Sequence, residues 1–416
     1  MYICIILISL RTMARKTTSI LRHLGRGIIT LLLTALLAIV VTGVSPIYSF
    51  PKGEPFSGAD IFNPYRNLDT CTKWKRANFH THTHIDGIFN ECDYSPTEVA
   101  EAYSRLGYDI VTFSNHNYIT SHHDPALQAD LYEHGYNLVK YHKLVFGPRK
   151  GVMRFDHLLP ILASQRQWQM DMLLAECDLL QLNHPLRTPF TTASMLQKLE
   201  GYTIIELDSG LSTENEYWDT ALSAGHYSFG LAGDDLHYID RTSKIARRCS
   251  FILSPSASYA DIREALLGGC YYSMRLPDYG NGDWATKSER NKSLPSITAI
   301  GLEGNRIYAE FSAPAARIVV YGENHTTLRE ELQSSKIEYT LADDEPYARI
   351  VAHFEGGEVI YTNPFARYDS TTSDSPFRAS THSVNWVLTI IFNLTLGLIA
   401  VAIVAAIVRL WRAKQN

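Results

Sequence analysis

Three imidazoles and a carboxylate crowd the stretch Asn78-Phe79-His80-Thr81-His82-Thr83-His84-Ile85-Asp86-Gly87. Side chains in a strand alternate faces, so His80 and His82 project the same way, and His84 follows if the strand continues. Two imidazoles side by side at a strand end form a pincer for a divalent ion such as zinc. The competing reading is a chance surface cluster. With 16 histidines in 416 residues, three at alternating positions argue against it.

More polar residues follow stretches that read as strands. Tyr108-Asp109-Ile110-Val111-Thr112-Phe113 leads into Ser114-Asn115-His116-Asn117. Leu179-Leu180-Gln181-Leu182 leads into Asn183-His184-Pro185, and Tyr227 to Ala232 into Gly233-Asp234-Asp235-Leu236-His237. A further strand is expected at Thr203-Ile204-Ile205-Glu206-Leu207. Between them lie helices. Ser95-Pro96-Thr97-Glu98 is a capping box with proline in the first turn, and its helix stops at Gly107; another runs from Gln165 to Glu176. Alternating strands and helices imply a mostly parallel sheet, whose functional site lies at the strands' C-terminal ends. Four such ends delivering His, Asp or both are hard to assign to packing alone.

The whole chain narrows the options. A net charge of -5, with 19% charged residues, gives no basic stripe, so no nucleic-acid partner is expected. The six cysteines show no C-x-x-C spacing, which disfavours a zinc-thiolate site. Cys71 with Cys92, or Cys249 with Cys270, are candidate disulfides in an oxidising compartment.

Two uncharged apolar stretches, Gly27–Ser45 and Val384–Val408, are each long enough to span a bilayer. Arg11, Arg15, Lys16, Arg22 and Arg26 precede the first; Arg409, Arg412 and Lys414 follow the second. The positive-inside rule places both ends in the cytoplasm and the intervening domain outside it. A cleaved signal peptide competes with the first span, and a buried hairpin with the pair. The expected organisation is a basic N-terminus (1–26), a span (27–45), a Pro/Gly-rich linker (46–74), an α/β domain (75–288), a small all-β, β-sandwich-like module (293–366), a tether (367–383), a second span (384–408) and a cytoplasmic tail (409–416). The β module offers no ligand cluster and is expected to serve packing or contact with a protein partner.

From Lys75 to Tyr272 the ordered motifs resemble the PHP (polymerase and histidinol phosphatase) superfamily. N-F-H-T-H-T resembles its first motif, Ser114-Asn115-His116-Asn117 the second, Asn183-His184-Pro185 the third, and Asp235-Leu236-His237 the last. The resemblance implies a distorted seven-stranded (βα) TIM-like barrel with two or three divalent ions, zinc, manganese or iron. It also implies a bridging carboxylate, for which Glu133 in Leu131-Tyr132-Glu133-His134 is the best match, with His142 following. Carried over, His80, His82, Glu133 and Asp235 would hold one ion, and Glu133, His142 and His184 a second. His116 and His237, with Asp86, would hold a third. His134 and His157 compete for the middle site. Asn115 stands where the family has Asp, and Asp86-Gly87 comes one residue earlier than the family's S-D-G, leaving His84 as a substitute for Asp86.

The implied activity is hydrolysis of a phosphate ester, on a phosphorylated small molecule or a phosphodiester, outside the cytoplasmic membrane. Clustered ions lower the pKa of bound water and neutralise phosphoryl charge. Glu133 and Asp235 would be central to catalysis, and Arg187 either grips a phosphate oxygen or is a surface charge. Two rivals remain: hydrolysis of a lactone, amide or sugar-linked substrate, and a non-catalytic membrane-tethered scaffold.

Overall fold

The structure is a computed structural model that describes residues 2–68, 73–87, 90–208 and 215–412. In chain order its elements begin with α1 (Tyr2–Thr42), β1 (Tyr48–Ser49), β2 (Asp60–Phe62), β3 (Lys75–Asn78), α2 (Pro96–Arg105) and β4 (Ile110–Val111). There follow β5 (Leu131–His134), β6 (Lys143–Phe146), α3 (Ala163–Leu174), β7 (Leu179–Leu182), α4 (Ala193–Leu196), β8 (Ile204–Glu206), α5 (Glu216–Ser223) and β9 (Phe229–Leu231). Next come β10 (Arg248–Ile252), α6 (Tyr259–Gly268), β11 (Tyr271–Arg275) and α7 (Trp284–Arg290). The last are β12 (Ile297–Glu303), β13 (Arg306–Tyr321), β14 (Thr327–Thr340), β15 (Tyr347–His353), β16 (Val359–Thr362), β17 (Phe365–Tyr368), β18 (Ser383–Val384) and α8 (Trp386–Arg412).

The chain divides into two compact units. The first comprises Met1–Ser49, Asp156–Gln165 and Ser383–Asn416. It contains two helical segments, Ile20–Thr42 and Trp386–Arg412, with mean hydropathies of 2.3 and 2.7, long and apolar enough by length and composition to cross a membrane. The helix expected from Gly27 is part of one continuous helix from Tyr2. Asn393, the amide inside the second apolar stretch, accepts from Ser45 N (3.2 Å) and donates to Ser45 O (3.0 Å). Those two bonds offset the cost of placing an amide in apolar surroundings. Just beyond the helices, β1 and β18 pair antiparallel, Tyr48 opposite Val384 and Ser49 opposite Ser383.

The second unit comprises Phe50–Phe155 and Arg166–His382 and is mixed α/β. One sheet has the order β5-β6-β7-β8-β9, with β7, β8 and β9 parallel and β6 antiparallel to both neighbours. The other runs β12-β13-β15-β16-β11-β10-β3-β4, with β14, β17 and β2 attached. Among the described residues the expected barrel is not present as a continuous ladder: both sheets are open, and isolated parallel bridges, Thr81 to Leu236 and His116 to Glu133, link strand ends between them. The β-rich stretch expected over 293–366 shares its sheet with the ligand-bearing strands, because β16 pairs along β11 from Tyr272–Thr362 to Arg275–Val359. Its inward residues Ile300, Ile318, Val320 and Ile350 join Tyr103, Phe113 and Met274 in one core.

Local signals account for several elements. Ser95 Oγ accepts from Glu98 N (3.3 Å), and Glu98 Oε2 accepts from Ser95 N (2.8 Å), closing the capping box of α2. That helix buries Val99 and Tyr103. The expected Cys249–Cys270 disulfide is absent; both are buried thiols. In the β10–β11 ladder Cys249 faces Met274, whereas Cys270 O accepts from Leu253 N. At about 3.4 Å per residue, that offset exceeds the Cα separation a disulfide tolerates. Cys71 lies outside the described residues.

Candidate metal centre

Strand ends place the polar residues. His80 and His82 follow β3, His116 follows β4, His184 follows β7, Glu206 ends β8, and Asp235 and His237 follow β9. His142 immediately precedes β6. Because β6 runs antiparallel to β7, its start lies beside β7's end, and Asn183 N donates to His142 O (3.2 Å). Glu133 lies within β5, its backbone N donating to Ser114 O (3.2 Å). Close approach is built in at Gly233, where a Cβ would sit 2.7 Å from that of His80. His184 (φ 25°) and Asp235 (φ 51°) both adopt left-handed backbone conformations that non-glycine residues rarely take, a strain that functional sites commonly hold.

Glu133 is the hub. Its Oε2 lies 3.2 Å from His80 Nε2, 3.2 Å from His82 Nε2 and 3.3 Å from His116 Nε2. Its Oε1 lies 3.2 Å from His142 Nδ1 and 3.3 Å from His184 Nε2, and accepts from Asn183 Nδ2 (2.8 Å). Asp235 Oδ1 is 3.2 Å from both His80 Nε2 and His82 Nε2. The other Asp235 oxygen accepts from Arg187 Nη1 at 2.6 Å, so the half-exposed Arg187 reaches the edge of the cluster. Two groups thereby share Glu133: His80, His82, Glu133 and Asp235; and His116, Glu133 and His142.

A third group joins His82, His116 and a residue the sequence reading missed, Glu91. Its Oε2 lies 3.1 Å from His116 Nε2 and 3.6 Å from His237 Nε2. Asp86, expected there, is fully exposed, with its ion pair to His84 at 3.6 Å. The cause is the loop. His84 N donates to Tyr94 O (2.7 Å) and Ile85 N to Asn90 Oδ1 (3.0 Å), which turns the chain so that Glu91 returns to the site. His84 is half exposed and does not substitute. The two competitors are engaged elsewhere: His134 Nε2 meets Phe155 O (2.9 Å), and His157 Nδ1 meets Thr42 O (2.5 Å).

The outer residues orient the inner ones. Glu206, also missed, sits 2.7 Å from His80 Nδ1 and accepts from His184 N (2.7 Å). A lone carboxylate in the apolar run Ile204-Ile205-Glu206-Leu207 was the available signal. Asn115 accepts from Thr83 N (2.8 Å), pinning the His82 segment. Asp234 accepts from Tyr103 OH (2.7 Å) and from the amides of Ala246, Arg247 and Arg248, fixing the turn that presents Asp235.

These contacts test whether cations fit. When His80 Nδ1 donates to Glu206, its Nε2 presents a lone pair to oxygens of Glu133 and Asp235. His80 Nε2 and Glu133 Oε2 are both buried without a hydrogen bond. Converging lone pairs repel unless a cation lies between them, and N/O ligands about 2.1 Å from one ion stand about 3.0–3.4 Å apart. The observed 3.2–3.3 Å separations fit.

Electrostatics agree. Burial alone would raise the Glu133 pKa, yet His80, His116 and His142 hold it well below the usual carboxylate range. Burial would lower His80, but Glu133, Glu206 and Asp235 push it well above the usual imidazole value. The cluster therefore attracts positive charge. Burial, only partly opposed by Glu133, lowers His142 to about 4, leaving a neutral imidazole with a lone pair for a metal at neutral pH.

No protein-family model and no curated protein matches the chain. Among solved structures, the lesion-specific endonuclease PfuEndoQ of Pyrococcus furiosus is similar with a TM-score of 0.34 and 13% identity, over 47% of this chain and 56% of that one.

Proposed function

We propose that the chain is a metal-dependent hydrolase of phosphate esters, of the PHP kind, anchored in a membrane with its site outside the cytoplasm. The observation that carries this reading is the position of Glu133, whose two carboxylate oxygens each face imidazoles from different strand ends. His80, His82, Glu133 and Asp235 would hold one divalent ion; Glu133, His116 and His142, with His184 alongside, a second. Glu91 with His82, His116 and His237 would hold a third. When bound, such ions supply Lewis acidity, lowering the pKa of water and neutralising charge on phosphoryl oxygens. The Glu133 charge would offset the repulsion between adjacent cations. Asn183 and Glu206 fix the orientations of Glu133 and His80. Arg187, half exposed beside Asp235, offers donors to a non-bridging phosphate oxygen.

Strands β3 to β9 support reading the domain as a distorted barrel, joined by the Thr81–Leu236 and His116–Glu133 bridges. The basic flanks of both apolar helices and the Asn393–Ser45 bonds support a two-span topology with both ends in the cytoplasm. The substrate is taken to be a phosphorylated small molecule or phosphodiester, not nucleic acid, and the β-rich region is open to a protein partner.

Elemental analysis of the purified full chain, followed by a panel of phosphate mono- and diesters beside lactones and amides, tests the reading. Bound divalent metal with phosphoester turnover is expected. Metal with only lactone or amide turnover overturns the substrate class, and metal with no turnover overturns the enzyme. A reporter fused after Asn416 that is active only on the outer side overturns the topology.

A further inference from the structure

Exposed apolar side chains scattered singly are ordinary on protein surfaces. Here they are not scattered. Among the described residues of the second unit, nine large apolar side chains are exposed. Five trail a member of the ligand set: Tyr118 behind His116, Tyr136 and Leu138 behind Glu133, Phe190 behind His184, and Tyr238 behind His237. The Tyr136 ring lies 5.5 Å from that of His116, and its hydroxyl donates to His116 O (2.7 Å). The Tyr238 ring lies 6.4 Å from His237 and under the Arg241 guanidinium at 4.3 Å.

Phe190 is the most costly of them. The residue is 61% exposed, and its backbone takes a left-handed conformation (φ 64°) that strains any residue with a Cβ. The turn is nonetheless held on both sides. Buried Arg166 donates to Pro189 O (2.8 Å) and to Thr191 Oγ1 (2.7 Å). Thr188 Oγ1 donates to Lys140 O (2.9 Å), tying this turn to the loop that carries Leu138. A phenyl ring kept in water on a strained, doubly pinned turn is placed for contact with something that arrives.

We infer that the site takes phosphate esters whose alcohol portion carries a flat apolar ring, and that Phe190 is a specificity-determining contact for that ring. The inference rests on the phosphoester reading above and narrows it. Tyr136 and Tyr238 lie beside the His116 and His237 rings, and the Phe190 turn is bonded through Thr188 Oγ1 to His184 O (3.4 Å), so a substituent on a phosphoryl group held by the cluster is directed toward these rings. Ring faces from tyrosine and phenylalanine match a flat ring better than a hydroxylated chain.

The test uses the full chain in detergent micelles, loaded with Mn²⁺, and calorimetric titration with phenylphosphonate, methylphosphonate and 2-hydroxyethylphosphonate. None requires turnover. Phenylphosphonate is expected to bind at least about tenfold tighter than methylphosphonate, the effect of burying a ring, and 2-hydroxyethylphosphonate no tighter than methylphosphonate. Phe190→Ser is expected to bring the phenyl-to-methyl ratio to within about threefold. Leu138→Ser, on the tied loop, is the second variant if Phe190→Ser does not fold, and should lower the same ratio. Equal binding of all three probes in the wild-type chain, or an unchanged ratio in the folded variant, overturns the inference while leaving the phosphoester reading standing. Failure of all three to bind the metal-loaded chain overturns both.

Discussion

Two fully buried carboxylates of the second unit, Glu133 and Asp219, keep opposite company. Asp219 faces donors. Arg349 Nε reaches its Oδ1 at 2.8 Å and Arg349 Nη2 its Oδ2, while Tyr347 OH (3.0 Å) and His325 Nδ1 (2.6 Å) complete the set. Glu133 faces imidazoles at 3.2–3.3 Å, and its Oε2 has no hydrogen bond at all. Burial raises both pKa values; a guanidinium brings Asp219 below its ordinary value and imidazoles bring Glu133 down. A buried acid whose oxygens meet complementary donors is structural. One whose oxygens meet other lone pairs is shaped for a cation.

The sharpest division between the two sites is expected from Asp219→Asn. It leaves the Arg349 guanidinium buried without its counter-charge, which costs about 3–5 kcal/mol. Urea denaturation should read that loss, while the metal content of the folded protein stays at the wild-type level. Glu133→Gln should do the reverse. An amide keeps the shape but loses the charge and one lone-pair donor, so metal affinity should fall by at least about a hundredfold in both groups that share Glu133. Equilibrium dialysis against Mn²⁺ measures it, and an unchanged metal count would erase the contrast with Asp219.

A smaller effect is expected at Glu206, which touches His80 rather than any ion. Glu206→Gln should lower affinity by about 10–100-fold, without loss of folding. A purely structural triad, His382 with Glu200 and Asp171, supplies the pH control. His382 lies 2.6 Å from Glu200 and 3.0 Å from Asp171. Burial lowers its pKa, but the two carboxylates raise it to about 9, above the ordinary 6.5. Because the folded value is raised, its stabilisation is complete below about pH 6.5 and is lost as pH rises through about 9. The unfolding free energy from denaturant titrations should fall across that window by about 1 kcal/mol more in the wild type than in His382→Gln. The smallest change belongs to Glu91→Gln, which should remove metal only from the group with His82 and His116; Asp86→Asn should remove none.

Much of the candidate site was legible because its histidines and acids stand where packing would not put them. His80, His82, His116, His184, Asp235 and His237 stand out at strand ends, and Glu133 and His142 followed from motif order. Glu91 did not, because its role depends on hydrogen bonds to Tyr94 and Asn90 that fold the loop back, and no periodicity encodes them. Asp86 was mistaken for the same reason. Within the expected all-β stretch, β14 carries no strand signal of its own: TLREELQSSKIEYT is mostly polar and exposed, lacking the alternation that betrays a half-buried strand. It is held by pairing with β13 rather than by its own side chains. The single bridges at His116–Glu133 and Thr81–Leu236 depend on tertiary closure, which strand propensity does not specify.

The short β1–β18 pairing, one step outside the two apolar helices, makes the chain from Ser49 to Ser383 a polymer ring. Closing a ring of that length costs about 5 kcal/mol of chain entropy by the logarithmic law for flexible loops. Once the helices and this strand pair are in place, that cost is met before the intervening sheets form, and β2 needs only a short search to find β17. The apolar ends thereby act on the folding of the polar middle as a cross-link would, although no covalent bond joins them.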